Sequence, residues 1–451
     1  MAIEPKTLKG FRDFLPQSMA PRMAMIRSIE AVFERHGFQP LMTPALEYAA
    51  TLTGKYGDEG DKLLYQFEDH GQRKVALRYD LTVPLARVVA EHRGALPMPF
   101  RRYQIAPVWR AENPQRGRYR EFMQCDADIA GGNTASADAE VLITGLSVLR
   151  ELGVDDAVLL LNHRDVLAAI LCAVGVTEPA AQLACIRAVD KLDKVGQAGV
   201  RHELESLAPG QVDALLAMFA GPADAEGLAQ RVLGLLDEAN RARFAPAFER
   251  LRAVLELVEA AGFADRVRLD PTIARGLDYY TGIIYETRLT DARVSGVGAV
   301  MSGGRYDGLI GLFGREQVPA VGISVGLDRL LAALQELGLV RMDGAAVPIY
   351  VTVFGDGQAA AAARAAQALR TGGLRVEVDA VGGKLGKQLE RAHKRGARLA
   401  VVIGPDEVTS GEAVVKDLAR GEQVRVALGD LPARAKAMLL VPIASVEPSA
   451  A

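Results

Sequence analysis

Apolar side chains recur every three to four residues across 19–36 (MAPRMAMIRSIEAVFERH), which predicts an amphipathic helix ended by Gly37. An extended segment, FQPLMTPAL (38–46), follows. Polar and apolar residues then alternate in RKVALRY (73–79), the period of a half-buried strand, and 81–92 returns to helical spacing. RRYQIAPVWR (101–110) and EFMQCDADIAG (121–131) are strand-like runs on either side of a basic, turn-rich loop, so they predict an antiparallel pair. A helix at 137–152 and a short apolar strand, VLLLN (158–162), complete this stretch.

The texture changes at residue 163. From there to 262 the chain is rich in Ala and Leu, with helical periods and little strand pattern, as expected of a helical insertion. Strands resume at RVRLD (266–270) and GIIYETRL (282–289), and GLDRLLAALQEL (326–337) reads as a helix. The expected plan is one α+β domain over 1–162 and 263–337, interrupted by the insertion at 163–262. Beyond a linker (338–347), strands and helices alternate over 348–440, which predicts a small α/β domain with a mainly parallel sheet, and 441–451 form a tail.

Composition narrows the function classes. The 451 residues are 49% apolar and 24% charged, a globular balance with room for two or three domains. The formal charge of −3 gives no general attraction for nucleic acid, although a local basic face suffices to bind RNA. Cys125, Cys172 and Cys185 are widely spaced and His36, His70, His92, His163, His202 and His393 form no close pair, which argues against a disulfide framework or a zinc site. The polar start MAIEPKTLKGFRDFLPQ has no signal-like apolar core, and no apolar run nears the roughly 20 residues of a membrane span. A cytoplasmic protein with no membrane partner is expected.

Four segments carry candidate chemistry. WRAENPQRGRYRE (109–121) holds Arg110, Arg116, Arg118 and Arg120, which read either as a solvated hairpin or as a polyphosphate clamp, since guanidinium forks match phosphate oxygens. ARGLDYYTG (274–282) is either a hairpin entry with two core tyrosines or part of a pocket. SGGRYDGLIGLFG (302–314) is Gly-rich without a Walker or dinucleotide pattern, and suits a turn or a ligand loop equally. VGISVGLDRLL (321–331) brings Arg329 to a helix start, where it is either a surface residue or a phosphate ligand.

Taken together, LKGFRDFLP (8–16), LRYDLTVPLAR (77–87), VWRAENPQRGRYREFMQCDADIAG (108–131), DKLDKVG (190–196), ARGLDYYTGIIYE (274–286), SGGRYDGL (302–309) and VGLDRL (325–330) resemble the histidyl-tRNA synthetases of class II. The RYDLT form looks like the eukaryote-type branch. The resemblance implies a class II catalytic domain, an antiparallel sheet flanked by helices, with 38–48 as a dimer-forming motif, and a C-terminal anticodon-binding domain. It implies histidine, ATP with Mg2+, and tRNA(His) as ligands, a homodimer, and no dedicated metal site.

Carried over residue by residue, the resemblance assigns Arg110 to the ATP α-phosphate and the histidine carboxylate, Arg118 and Arg329 to the outer phosphates, and Phe122 to adenine. Asp80 and Thr82, with Gln124, would hold the α-ammonium group, Leu81 would belong to the histidine-binding set, Asp128 and Tyr280 would read the imidazole, and Tyr279 would line the same pocket. Arg275 would bridge the α-phosphate and the carboxylate, where other class II enzymes use a metal ion. Lys384, Lys387 and Arg391 would face tRNA. Two positions depart from the family: Asp328 replaces the usual Glu, and Asn113 stands where some bacterial enzymes have Arg. A rival reading is a non-enzymatic paralogue that regulates the first enzyme of histidine biosynthesis. Such proteins typically lack the C-terminal domain and lose catalytic motifs, whereas 348–440 and Arg275 are both present.

Overall fold

The structure, a computed structural model, describes residues 3–115, 117–220, 224–274, 279–340 and 348–440, apart from the side chains at 58, 59, 193, 194 and 220. It divides into two compact units. Among the described residues, one holds those up to 13 and from 24 to 340, the other 14–23 and 348–440. The predicted helical insertion groups with the first unit.

The chain begins with α1 (Pro16–Arg35), β1 (Gln39–Pro40), β2 (Leu46–Tyr48), α2 (Ala49–Leu52), α3 (Gly57–Asp61), β3 (Gln66–Glu68), β4 (Lys74–Leu77) and α4 (Thr82–Glu91). The predicted hairpin follows as β5 (Phe100–Trp109) and β6 (Glu121–Ala130), then α5 (Ala135–Glu151) and β7 (Ala157–His163). The Ala- and Leu-rich stretch forms α6 (Arg164–Ala173), α7 (Pro179–Val189), α8 (Leu192–Leu207), α9 (Val212–Ala220), α10 (Ala225–Leu235) and α11 (Glu238–Ala260). The unit closes with β8 (Val267–Leu269), β9 (Ile283–Leu289), β10 (Met301–Arg305), β11 (Ala320–Gly326) and α12 (Leu327–Glu336).

Eight described strands form one sheet in the order β1-β5-β6-β11-β10-β9-β7-β8. The five inner pairings are antiparallel, and only the edge pairs β1/β5 and β7/β8 are parallel. Local chemistry fixes the helix starts that flank it. Thr134 accepts the Ala137 N–H at the head of α5, and the Asp80 carboxylate accepts the Val83 N–H in the first turn of α4. That bond ties Asp80 to a helix end beside the sheet. On α12, Leu327, Leu330, Leu331 and Leu334 are buried; burying each contributes roughly 1.5–3 kcal/mol.

SGGR, read as a turn or loop from its glycines, is strand β10. Glycine is poor in strands for want of packing, but here the sheet requires it: a Cβ on Gly303 would lie 2.1 Å from the Gly322 carbonyl oxygen.

The second unit holds β12 (Ile349–Val351), α13 (Asp356–Thr371), β13 (Val376–Val378), α14 (Leu385–Lys394), β14 (Leu399–Val402), α15 (Pro405–Ser410), β15 (Glu412–Asp417), β16 (Gln423–Ala427) and α16 (Leu431–Leu440). Its sheet, in the order β13-β12-β14-β15-β16, corrects the mainly parallel expectation. β12 pairs in parallel with β13 and β14, but β14/β15 and β15/β16 are antiparallel. The physical reason is connection length: β15 and β16 are joined by a short turn, which allows only an antiparallel return.

Candidate active site

Side chains alternate across a strand, so Gln124, Asp126 and Asp128 of β6 share one face. The antiparallel register extends that face into a polar row across five strands: Gln104 on β5, Asp126 on β6, Ser324 on β11, Ser302 on β10 and Glu286 on β9. A second row runs Arg102, Asp128, Gly322 and Gly304. Its glycines make the room. A Cβ on Gly322 would lie 1.8 Å from Asp128 Oδ1, and one on Gly304 would lie 2.8 Å from Cδ1 of Tyr280.

Two adjoining cavities share Arg110, Gln124, Ala299, Ser302, Ser324 and Arg329 in their walls. Glu112, Arg118, Tyr119, Phe122 and Asp328 add to the first, and Asp80, Thr82, Tyr279, Tyr280, Tyr285 and Glu286 to the second. Arg110 donates from Nε to the Tyr79 carbonyl at 3.2 Å, and its guanidinium lies 4.2 Å from the Tyr79 ring centre and 5.0 Å from that of Phe122. These contacts hold the fork at the junction of the cavities. Arg329 donates to the Ala299 carbonyl at 2.9 Å, and Arg118 lies 3.8 Å from Glu112. Asp328 accepts from Arg12 Nη2 at 2.6 Å and from the Met123 N–H at 2.8 Å, tying the head of α12 to β6.

In the second cavity, Asp80 accepts from Tyr56 at 3.2 Å and from Tyr279 at 3.1 Å. Burial pushes its carboxyl above the usual range, against the pull of the Val83 N–H, Arg110 and the two phenols. Gln124 donates to Ser324 Oγ at 2.7 Å, while its Oε1 is buried without a hydrogen-bond partner. Burial, reinforced by Asp128 and Asp80, raises the Tyr280 phenol, which therefore stays a neutral donor at physiological pH.

Of the predicted residues, Asp80, Thr82, Arg110, Arg118, Phe122, Gln124, Tyr279, Tyr280 and Arg329 all line these cavities. Leu81 and Asp128 are not in the walls. Leu81 packs with Ala106, Val108 and Phe122, and its carbonyl accepts from Arg102 at 3.0 Å. Asp128 is buried, accepting from Tyr306 at 2.5 Å and pairing with Arg102 at 2.9 Å. Arg275 and Arg116 lie outside the described residues, as do the linker residues 341–347 and the tail. In the second unit, Lys384 and Lys387 are exposed. Arg391 is instead bound to Asp379 at 2.9 and 2.7 Å and to the Gly382 carbonyl at 2.6 Å.

Sequence reasoning missed Tyr56, Arg102, Asp126, Glu286, Ser302, Ser324 and Tyr306. For most of them the available signal was a polar residue at every second position of a predicted strand, but the partner strands needed to form the row are far apart in sequence.

The antiparallel sheet, with an arginine-walled double cavity on one face, is the architecture of a class II aminoacyl-tRNA synthetase. The family model described as histidyl-tRNA synthetase matches residues 10–330, and that of an anticodon-binding domain matches 348–438. A histidine–tRNA ligase of Rhodopirellula baltica is 43% identical over 433 residues, covering 94% of this chain and 96% of its own. One from Aeropyrum pernix is 40% identical, with coverage of 94% and 96%. A crystal structure of histidyl-tRNA synthetase from Nostoc aligns with a TM-score of 0.86 at 32% identity, over 97% of this chain and 100% of that one. A Bacillus halodurans structure, titled as an ATP phosphoribosyltransferase regulatory subunit/histidyl-tRNA synthetase, shares the fold at 22% identity and a TM-score of 0.71. The chain belongs to the histidyl-tRNA synthetase family.

Proposed function

We propose that the double cavity performs the family's reaction: the chain is an ATP-dependent histidine–tRNA ligase that forms histidyl-adenylate with release of pyrophosphate, then transfers histidine to the 3′ end of tRNA(His). The observation that carries this reading is the shared wall. Two compartments, one basic and aromatic, the other anionic and phenolic, meet at Arg110. ATP fits the first, with adenine against Phe122 and phosphates toward Arg118 and Arg329. Histidine fits the second, with its ammonium group near Asp80, Thr82 and Gln124 and its ring toward Tyr280 and Asp128.

Activation is in-line attack of a carboxylate on an α-phosphate. Both partners are anionic and charge moves onto the leaving pyrophosphate, so fixed cations and alignment are what the reaction needs. Arg110 at the junction suits that role. Arg275 is proposed as its partner across the phosphate; a guanidinium stays charged and cannot act as a base. Mg2+ is proposed as the triphosphate's companion ion. It needs only one or two carboxylates besides phosphate and water, and Glu112, in the wall of the first cavity, is a hard oxygen donor that suits it.

Histidine selectivity follows from hydrogen bonding. The Tyr280 phenol in the cavity wall would pair with a ring nitrogen, with Asp128 behind the wall on Tyr306 and Arg102. A polar site of this kind, left without its partner by Leu or Phe, supports a discrimination of about 10⁴ or more. Residues 163–262 are proposed to grip tRNA and 348–440 to bind its anticodon, with Lys384 and Lys387 facing the backbone. The setting is the cytoplasm, beside the translation machinery; no helix among the described residues is long and apolar enough to cross a membrane.

The test is amino-acid-dependent pyrophosphate exchange followed by charging of tRNA(His). Histidine alone should support exchange, and a Lys384→Glu/Lys387→Glu variant should keep exchange while KM for tRNA rises about tenfold, the weight of roughly 1.4 kcal/mol. Exchange with another amino acid at a comparable rate would overturn the assignment; an unchanged tRNA KM would remove the two lysines from it.

A further inference from the structure

Beside the proposed imidazole subsite lies a buried cluster with more carboxylate than cation. Arg102 is fully buried on β5, and Asp126 and Asp128 on β6 are each 2% exposed. The cross-strand register sets Arg102 opposite Asp128, and Asp126 between Gln104 and Ser324. Each carboxylate has one hydroxyl partner, Tyr306 on Asp128 Oδ1 and Ser324 for Asp126, and Asp128 Oδ2, though 2.9 Å from Arg102, makes no well-formed hydrogen bond. Asp126 Oδ1 is likewise buried with no hydrogen-bond partner, as are Nε and Nη1 of Arg102. Both carboxylates lean on Arg102, and Arg78, whose own bonds go to the Pro107 and Thr43 carbonyls, adds only a coulombic attraction to Asp126. Two ionised carboxylates in this dry place are therefore costly unless a proton is retained.

We infer that Asp126 makes histidine binding proton-linked: the Arg102–Asp126–Asp128 cluster keeps one proton when the imidazole seats against it, so that one charge pair rather than two free carboxylates lies beside the ring. The inference rests on the proposed placement of the imidazole toward Asp128. Asp126 is a positioning residue, acting through Asp128. The groups facing it support this balance. Arg102 from β5, the Ser324 hydroxyl from β11 and the buried Arg78 after β4 favour its anion, while Asp128 on its own strand and Asp80 ahead of α4 oppose it. Tyr306 donates to Asp128, and the phenols of Tyr280 and Tyr285 stay neutral. Burial dominates and pushes the Asp126 carboxyl up to about 7. The proton belongs to the set, not to one oxygen, and a bound ring that excludes water raises its retention further.

The sign follows. Above pH 7 the free cluster loses the proton that the complex keeps, so each further pH unit weakens histidine binding by about tenfold until the complex also titrates. Asp126→Asn, isosteric with the protonated acid, removes that linkage. Histidine Kd is to be measured for both proteins from pH 6.5 to 8.5, where titration of the α-amino group is common to both. The expected result is equal affinity within about twofold at pH 6.5 and a Kd ratio, wild type over variant, rising about tenfold per unit above pH 7. Parallel curves overturn the inference. Calorimetry of the wild type at pH 8, in buffers of different ionisation enthalpy, keeps the question open to refutation even if the variant does not fold: uptake of about one proton supports it, and no uptake overturns it. An Asp128→Asn variant separates the two levels. If it binds histidine as the wild type does, the imidazole placement fails; if it loses affinity while Asp126→Asn keeps the wild-type slope, only the proton linkage fails.

Discussion

Arg305 lies in the glycine-rich SGGRYDG run, yet its work is structural. It is 3% exposed, donates from Nε to Asp138 at 2.9 Å, and bonds the Gly132 carbonyl at 3.0 Å and Asp307 at 2.9 Å. Removing one member of such a buried pair costs about 3–5 kcal/mol, and with Arg250 still 3.4 Å from Asp138 the lower end of that range applies. Arg305→Ala should therefore lower the denaturant midpoint by that weight at unchanged m-value; an unaltered midpoint would show the pair to be dispensable. Residues of this kind mark the limit of the sequence at this scale. Asp80, Arg110, Gln124 and Tyr280 were legible because their motifs sit in short, distinctive strings. Asp126 and Glu286 were not, because their meaning depends on neighbours one strand over. Arg391 looked like its lysine neighbours until Asp379 was seen to hold it.

Most elements were legible from period alone: α1, α4, the β5/β6 hairpin, α5 and α12 fall within a few residues of the expected ranges. β10 was hidden by its glycines, whose role is set by atoms on β9 and β11. β3, β16 and α15 are short segments whose pairing or capping, not local pattern, defines them. The small sheet β2-β4-β3 carries the consequence for assembly. Met42 beside it is 72% exposed, and Leu46, Tyr48 and Phe67 are 45%, 60% and 49% exposed, a run of large apolar side chains in and after the segment that resembles the dimer-forming motif. We propose that a second copy covers them. Leu46→Arg/Tyr48→Glu should shift sedimentation from dimer toward monomer at micromolar protein; a variant that sediments as the wild type does would place the interface elsewhere.

At the scale of the molecule, the alternation of textures announced an interrupted α+β domain and a C-terminal α/β domain. The contacts draw a coarser division into two units, because the helical stretch packs onto the first: α11 lies against α5, and Leu167 of α6 packs with Ile273, Ala274 and Ile284 of the sheet region. The proposed activation site lies in the first unit, where both compartments are walled by Arg110, and that junction is the centre of the account. It is tested most directly by rapid-quench measurement of single-turnover histidyl-adenylate formation by Arg110→Ala and, for its proposed partner, Arg275→Ala, with histidine affinity measured in parallel. Losing a charge-assisted contact made chiefly in the transition state costs about 2.7–4 kcal/mol, so each variant should form adenylate about 10²–10³-fold more slowly while histidine binding weakens far less. Adenylate formation within a few-fold of wild type in Arg110→Ala would contradict it.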